Sequence, residues 1–190
     1  RELWTGVMPD SPPWRAVREA AARNGVRIVY LRGGRSFAFG GSRVDVLAPS
    51  PAYEPLDAPE NNDSLVLRIG NPRHAFLLTG DIDRRVESAM LDDNLPVRAD
   101  VLKAPHHGSR NSAGEPFLDA VKPSFAIVTA GFENSYGFPH PEVVARLEQR
   151  GAMVLRTDRD GLIAIRSDGR RLQVETNRYP ARRAGALPAW

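Results

Sequence analysis

Hydrophobic and polar positions follow one another along the chain in a way that predicts a mixed α/β protein. Short apolar, β-branched segments bounded by Gly, Pro, Asn and Asp predict strands. Segments with apolar residues three or four positions apart predict helices, as at 14–24, where Trp14, Val17 and Ala21 share one face. A proline pair before this segment and Gly25 after it are typical helix start and stop residues.

The same criteria give the complete series of elements. Strands are predicted at 1–6, 26–31, 35–39, 43–49, 64–69, 75–79, 101–102, 124–129, 152–156, 162–166 and 172–175. Helices are predicted at 14–24, 82–91, 116–120 and 141–150. We expect an exposed loop at 50–62 and turns at Asp160–Gly161 and Asp168–Gly169. Residues 1–177 then form one domain, and 178–190 are predicted to be a disordered tail rich in Arg, Pro and Ala.

Composition narrows the class of protein without identifying it. The chain has 190 residues, enough for one core, and its 42% hydrophobic and 26% charged residues are typical of a globular protein. It has no apolar run long enough for a membrane helix and no signal-peptide pattern. The absence of cysteine excludes disulfides and thiolate metal sites. The net charge of +3 is compatible with a polyanionic partner.

Two adjacent histidines form the strongest chemical feature of the sequence. His106 and His107 follow the strand predicted at 101–102 and precede Gly108 and Ser109, small residues that let a ligand approach closely. Imidazoles can bind a metal ion or transfer a proton near neutral pH. Taken alone, the pair fits a polar surface loop equally well, because no metal motif is defined by two adjacent histidines.

Two other strand-end loops each carry a candidate residue. Asp81 follows a strongly apolar strand, where its carboxylate can bridge two cations or cap the next helix. His140 precedes a predicted helix and has the same two interpretations, whereas we expect His74 to face solvent without a role. One Asp and two His ligands suit zinc, manganese or iron. Two such ions about 3.5–4 Å apart would polarise a phosphate and generate hydroxide.

Five phrases of the sequence, at 62–69, 76–81, 102–109, 136–143 and 156–161, occur together in a recognisable order. Through these phrases the sequence resembles the metallo-β-lactamase-fold domain of ComEC-type competence proteins. The match runs from Arg1 to about Glu175 in the family's order and spacing, and Thr-Gly-Asp and Pro-His-His-Gly-Ser are its specific parts. The resemblance implies a four-layer αββα sandwich with a metal site at one edge.

The resemblance also implies roles for individual residues. Asp81 would bridge two divalent ions, Zn or Mn, with His107 and His140 as further ligands. His106 and His107 are the catalytic candidates, and which of them is a ligand and which contacts the scissile phosphate stays open. The substrate-binding candidates are Ser109 and Arg110. A bridging hydroxide would attack the phosphorus of DNA, and no small-molecule cofactor is expected.

The sequence departs from the family pattern at three places. The fold's His-x-His-x-Asp-His loop is absent from the chain, so we expect it upstream of Arg1 and expect this chain alone to bind little metal and to be inactive. The segment Asn61–Asp63 lies where relatives of this fold place a ligand histidine. Phe138 stands where such proteins often carry a histidine, which predicts a more apolar pocket wall.

The function implied is metal-dependent cleavage of DNA phosphodiesters during natural transformation. The domain would be soluble and extracytoplasmic, and its partners would be DNA and the remainder of a polytopic membrane channel protein. Two alternatives stay open. One is a stand-alone metallo-hydrolase of small phosphodiesters or esters, and the other is a non-catalytic domain that guides DNA.

Overall fold

The computed structural model describes residues 1–177 and the backbone of Arg182–Arg183. The strands are β1 (Glu2–Thr5), β2 (Arg27–Tyr30), β3 (Ser36–Phe39), β4 (Ser42–Ala48), β5 (Val66–Gly70), β6 (Ala75–Leu78), β7 (Val101–Lys103), β8 (Phe125–Val128), β9 (Met153–Arg156), β10 (Ile163–Ser167), β11 (Leu172–Thr176) and β12 (Arg182–Arg183). The helices are α1 (Pro12–Arg23), α2 (Arg84–Asp92), α3 (Glu115–Val121), α4 (Pro141–Gln149) and the single turn α5 (Thr157–Asp160). The tail predicted at 178–190 lies outside the described residues, except for the backbone of β12, which pairs with β11.

A seven-stranded sheet in the order β3-β4-β5-β6-β7-β8-β9 forms the centre of the fold. The strands from β3 to β6 pair antiparallel, and those from β6 to β9 pair parallel. The hairpin predicted between β5 and β6 is confirmed. Because β6, β7, β8 and β9 run in the same direction, the loops that follow them leave the sheet at one edge, where ligand sites of α/β proteins are commonly built.

The two faces of the central sheet bury different residues because side chains alternate along each strand. Leu77, Leu102 and Ala126 face α2, α3 and α4 in the largest core. On the other face, Leu67 packs in a core with β1 and β2. Phe125, on that same face, packs in a core with β10 and β11.

Helix α1 forms the outermost layer on the side of β1 and β2. Val29 of β2 packs into the core shared with the central sheet, so the next residue, Tyr30, faces the opposite way. There the ring of Tyr30 meets Trp14 of α1 edge-on, with 6.3 Å between ring centroids. The layers therefore follow the order helix, sheet, sheet, helix. The predicted fold class, α/β with an αββα order of layers, is confirmed.

Of the two interpretations left open for Asp81, capping of α2 does not occur. The cap is Asp83, whose carboxylate accepts a hydrogen bond of 2.9 Å from the backbone N–H of Arg85. One local prediction is wrong. The segment around Asp160 is not a simple turn, because Thr157–Asp160 forms the helical turn α5, in which the Asp160 carboxylate accepts from the N–H of Arg156.

Within residues 1–177 the longest helix is α1, with 12 residues. None of the helices in this part of the chain has the length and apolar character needed to cross a bilayer.

Candidate active site

Three loops converge at the edge of the sheet where β6, β7 and β8 end. The first loop follows β6 and carries Asp81, the second follows β7 and carries His106 and His107, and the third follows β8 and ends at His140. The backbone N–H of His106 donates to the carbonyl of Gly80 at 3.3 Å, and that of His140 donates to the carbonyl of Gly108 at 3.0 Å. The three loops predicted from the sequence are therefore tied to one another by backbone hydrogen bonds.

The first loop is held in place by the segment just before β5. Gly80 has a φ of +57°, and a Cβ atom there would lie 2.6 Å from Cβ of Ser64, so only glycine fits. The hydroxyl of Ser64 accepts from the N–H of Asp81 at 3.0 Å, and the side-chain oxygen of Asn62 accepts from the N–H of Asp83 at 3.0 Å. Asn62 is buried, at the end of a loop predicted to be exposed. These bonds fix the direction in which Asp81 leaves the strand.

The second loop is a tight 3-10 turn over Pro105–Gly108 with an unusual backbone. His106, His107 and Gly108 have φ values of +45°, +54° and +78°. Left-handed conformations cost non-glycine residues on the order of 1–3 kcal/mol and are concentrated at functional sites. A Cβ atom on Gly108 would lie 2.6 Å from Cβ of Pro139, so this glycine also allows the third loop to approach.

The side chains of Asp81, Lys103 and His107 meet in front of this edge. Oδ2 of Asp81 lies 3.4 Å from Nε2 of His107. Nζ of Lys103, the last residue of β7, lies 3.1 Å from Oδ1 of Asp81 and donates to the carbonyl of Gly80 at 2.6 Å. The carboxylate thus contacts a cation through one oxygen and faces an imidazole through the other.

The hydrogen bonds of His107 define which of its nitrogens carries a proton. Nδ1 lies 2.5 Å from the carbonyl oxygen of Thr129 and 3.1 Å from its hydroxyl. A carbonyl oxygen can only accept, so Nδ1 donates and the neutral ring has its lone pair on Nε2. Nε2 and the Asp81 carboxylate therefore present lone pairs to the same space. Donation from the other ring nitrogen to a backbone carbonyl is also typical of metal-binding histidines.

The charges of Asp81 and Lys103 depend on one another. Burial raises the pKa of the Asp81 carboxyl, but the nearby Lys103 ammonium, aided by His107 and His106, outweighs burial and holds the pKa below its usual value. Burial lowers the pKa of Lys103 by more than the contact with Asp81 raises it. Asp81 is therefore a carboxylate at neutral pH, and Lys103 gives up its proton more readily than an exposed lysine does.

The ring of Phe138 lies among the histidines of the site. Its centroid is 5.7 Å from that of His106, 6.5 Å from that of His107 and 5.6 Å from that of His140. Nε2 of His106 lies 3.3 Å from the side-chain nitrogen of Asn61. Asn61 therefore lies beside the site. It belongs to the segment where relatives of this fold place a ligand histidine.

The two predicted substrate-binding residues lie at the rim of the second loop. The hydroxyl of Ser109 accepts from the N–H of Asn111 at 3.4 Å. Nε of Arg110 donates to Oε1 of Glu142 at 2.6 Å, and both side chains are exposed. Arg110 is thus placed beside the first turn of α4, which directly follows His140. Contact of either residue with a substrate stays a prediction.

The described side chains do not by themselves fit a metal ion. Asp81 and His107 offer two donor atoms, whereas protein zinc sites use three or four protein ligands. In residues 1–177, no three His, Cys, Asp or Glu side chains come together as a metal site. Ligation by His140 stays a prediction. The cation that contacts the Asp81 carboxylate here is the Lys103 ammonium.

Several residues of the site were not predicted. Lys103 could have been noticed, because the chain has two lysines against 24 arginines and one of the lysines ends a buried strand. Thr129 gave no signal, since its role depends on a contact between distant segments. Asn61 lies in the segment that the family resemblance pointed to, but its contact with His106 was not predicted. Outside the site, His74 is half-buried and its Nδ1 lies 2.9 Å from the hydroxyl of Ser167, so it does not simply face solvent. Its lack of a functional role stays a prediction.

Comparison with known proteins shows similarity to competence proteins. The chain is 36% identical over 161 residues to ComE operon protein 3 of Bacillus subtilis, which is 85% of this chain and 20% of that protein. It is 35% identical over 126 residues to competence protein ComA of Neisseria gonorrhoeae, 65% of this chain and 18% of that protein. With recombination protein 2 of Haemophilus influenzae it shares 28% over 149 residues, 78% of this chain and 18% of that protein. The chain thus spans about a fifth of the length of these relatives.

Two other comparisons add little. No family model matches the chain. A solved structure from Thermotoga maritima, described as a Zn-dependent hydrolase of the metallo-β-lactamase superfamily, matches with a TM-score of 0.41 and 11% identity, covering 64% of this chain and 60% of that one. A likeness of this size adds nothing to the fold described above.

Proposed function

We propose, from the homology of this chain to ComEC-type competence proteins, that it forms the DNA-cleaving part of a DNA-uptake protein. The substrate in this proposal is the phosphodiester backbone of DNA. Besides DNA, the partner in this proposal is the remainder of a polytopic membrane channel protein. The present chain would lie on the extracytoplasmic side. The similarity covers only about a fifth of each relative, so the activity of the whole protein is part of the proposal.

One observation carries the proposal. Nε2 of His107 and Oδ2 of Asp81 lie 3.4 Å apart, and Lys103 contacts the other carboxylate oxygen. Two atoms with lone pairs thus lie next to an ammonium, and this arrangement suits the cleavage of a phosphodiester. The donors can activate a water molecule, and the ammonium offsets the negative charge that develops on the phosphate oxygens. A partly buried ammonium does this more strongly than an exposed one, because the local dielectric constant is lower.

The histidines take different roles in this proposal. His107 has its proton on Nδ1, so its Nε2 can accept a proton from the attacking water or bind a metal ion. We assign protonation of the leaving oxygen to His106 in its imidazolium form. It gives up its Nε2 proton and becomes a neutral ring whose Nε2 accepts from the Asn61 amide. Pro105 and Gly108 fix both histidines on one tight turn.

Metal dependence belongs to the proposal as well. Zn²⁺ or Mn²⁺ at this edge would find two donors in Asp81 and His107 and would need further donors to complete its coordination. Such an ion supplies a polarised phosphate and an activated water. We therefore expect a chelator to abolish cleavage, and its effect is measured in the assay that tests the site residues.

The proposal is tested by cleavage of labelled DNA in Mn²⁺ or Zn²⁺ by the full gene product that carries this sequence. Asp81→Asn and His107→Ala should each reduce the rate by about a hundredfold or more, since the first removes the carboxylate charge and the second removes the imidazole. Asp92→Asn, at the end of α2, and His74→Ala are matched controls and should cleave as the unmodified protein does. Unchanged cleavage by Asp81→Asn contradicts the proposal.

The non-catalytic alternative has one observation in its favour. In the described part of the chain, no third His, Cys, Asp or Glu side chain joins Asp81 and His107 as a metal site, and a lysine contacts the carboxylate. A domain that only guides DNA does not need a complete metal site. The same assay separates the two functions, because a guiding domain binds DNA, leaves it intact in either metal, and is unaffected by Asp81→Asn.

A further inference from the structure

An exposed aromatic segment lies beside the candidate active site. Residues 131–138, which we call the aromatic loop, belong to the third strand-end loop and contain Phe132, Tyr136 and Phe138. The side chains of Phe132 and Tyr136 are 77% and 75% exposed. Exposed large apolar groups that lie together next to a site are typical of binding surfaces.

The aromatic loop is held in shape by one residue. The side chain of Asn134 donates to the carbonyls of Gly131 and Phe138, at 3.0 and 2.7 Å, and its oxygen accepts from the N–H of Phe138 at 3.0 Å. The carbonyl of Asn134 accepts from the N–H of Gly137. The exposed rings are therefore presented on an ordered turn, and little conformational entropy is lost when a ligand stacks on them.

The rings form a stack that leads from solvent to the candidate site. The ring of Tyr136 is stacked on that of Phe138, with 5.7 Å between centroids and 16° between planes. Phe138 is stacked in turn on His107, at 6.5 Å and 23°. His107 is the residue whose Nε2 faces Asp81. Three nearly parallel rings therefore connect the exposed tyrosine with the residues proposed to act on the phosphodiester.

The flat rings, more than the local charges, indicate the kind of ligand. The nearby cations are paired, since Arg110 contacts Glu142 at 2.6 Å and Lys103 contacts Asp81 at 3.1 Å. The chain as a whole carries a net charge of +3. Ligands that combine flat π faces with negative charge are nucleic acids. In a duplex the base faces are stacked inside, so the faces open to an aromatic platform are those of unpaired bases.

We propose that the aromatic loop is a stacking platform for unpaired nucleobases, so that the candidate site receives a single strand. A base stacked on Tyr136 continues the series of rings, and the adjacent backbone is then directed toward Asp81 and His107. This inference rests on the proposed function, since it names the form of nucleic acid that the same site takes. Stacking surfaces bind bases with little dependence on sequence, which suits DNA of arbitrary origin.

The test measures binding by the 190-residue chain at low salt with EDTA present, so that cleavage does not contribute. The probe is a fluorescein-labelled oligothymidylate of about 20 nucleotides, read by anisotropy, with the same strand paired to its complement as the duplex probe. Tyr136→Ala should weaken binding of the single strand about tenfold, the loss expected for one stacked base. Tyr136→Phe, which keeps the ring, should retain the affinity, as should Tyr30→Ala, which removes an exposed tyrosine of β2.

Binding to the duplex probe and to lipid vesicles gives the results that would contradict the stacking proposal. Tyr136→Ala should leave binding of the duplex unchanged, and an equal loss on both probes overturns the proposal in favour of backbone contacts. Failure of the unmodified chain to bind the single strand, or full affinity in Tyr136→Ala, also overturns it. So does a loss confined to anionic phospholipid vesicles, which would assign Phe132 and Tyr136 to a membrane surface. Stacking is read from Tyr136→Ala by binding in EDTA and the proposed catalysis from Asp81→Asn by cleavage, so a failure of cleavage and a failure of stacking are observed separately.

Discussion

At the scale of single residues, the contact between Asp81 and His107 is the part of the site that the sequence predicted best. Both follow apolar strands, and ends of parallel strands lie at one edge of a sheet, so their proximity followed from the order of elements. Lys103 was missed because a lysine at the end of a short strand also fits a solvent-exposed position. Its role depends on the parallel register that places it beside Leu78 of β6.

Lys103→Met is the residue-scale prediction. Removing the ammonium that contacts Asp81 should reduce DNA cleavage about a hundredfold, the usual effect of losing one group that stabilises developing charge. Lys122→Met is the matched control, because Lys122 is the other lysine of the chain and lies exposed at the end of α3. Rates are compared on the same labelled DNA at saturating substrate. Wild-type rates in Lys103→Met would exclude a role for this side chain in catalysis.

At the scale of elements, alternation and turn residues predicted the strands and main helices, because both depend on local sequence. Prediction from local sequence failed where two neighbouring residues could each cap the same helix. Asp81 and Asp83 both precede α2, and only the contact between the Asp83 N–H and Asn62 explains why Asp83 becomes the cap. Likewise, the Asp160 carboxylate accepts from the N–H of Arg156, and the segment forms the helical turn α5 where a simple turn was predicted.

Strand β4 supplies a prediction about stability and pH. The buried Asp45 accepts hydrogen bonds of 2.7 Å from Ser36 and from Arg43, and Arg68 lies 3.4 Å away. Burial raises the pKa of Asp45, but these contacts outweigh burial and hold the pKa below its usual value. Because the pKa is lower in the folded than in the unfolded chain, the carboxylate stabilises the fold above about pH 4, and this contribution is lost as the pH falls through the folded pKa.

We therefore expect Asp45→Asn to lower the free energy of unfolding by about 1–2 kcal/mol at pH 7 and by less at pH 3. Urea unfolding of the 190-residue chain at both pH values measures the difference. Asp92→Asn, an exposed carboxylate at the end of α2, should change the unfolding free energy little at either pH. An equal loss for Asp45→Asn at pH 3 and pH 7 would show that the charge of Asp45 does not stabilise the sheet.

At the scale of the whole molecule, the αββα order of layers and the change from antiparallel to parallel pairing at β6 determine where chemistry can occur. The class of fold followed from the alternation of strands and helices together with the family resemblance. The pairing of β1 with β2 and the position of α1 outside them depend on long-range packing, which one sequence does not encode locally. That residues 1–177 contain no group of three His, Cys, Asp or Glu side chains arranged as a metal site likewise came from the structure alone.

The central claim is that Asp81 and His107 act together in one phosphodiester-cleaving site. A double-mutant cycle on cleavage rates of the full gene product tests it most directly, with Asp81→Asn, His107→Ala and the two combined. Residues that act as a unit give strongly non-additive losses. We predict that the double variant cleaves no more slowly than the slower single variant. Multiplication of the two losses would contradict the account, because it would mean that Asp81 and His107 contribute independently.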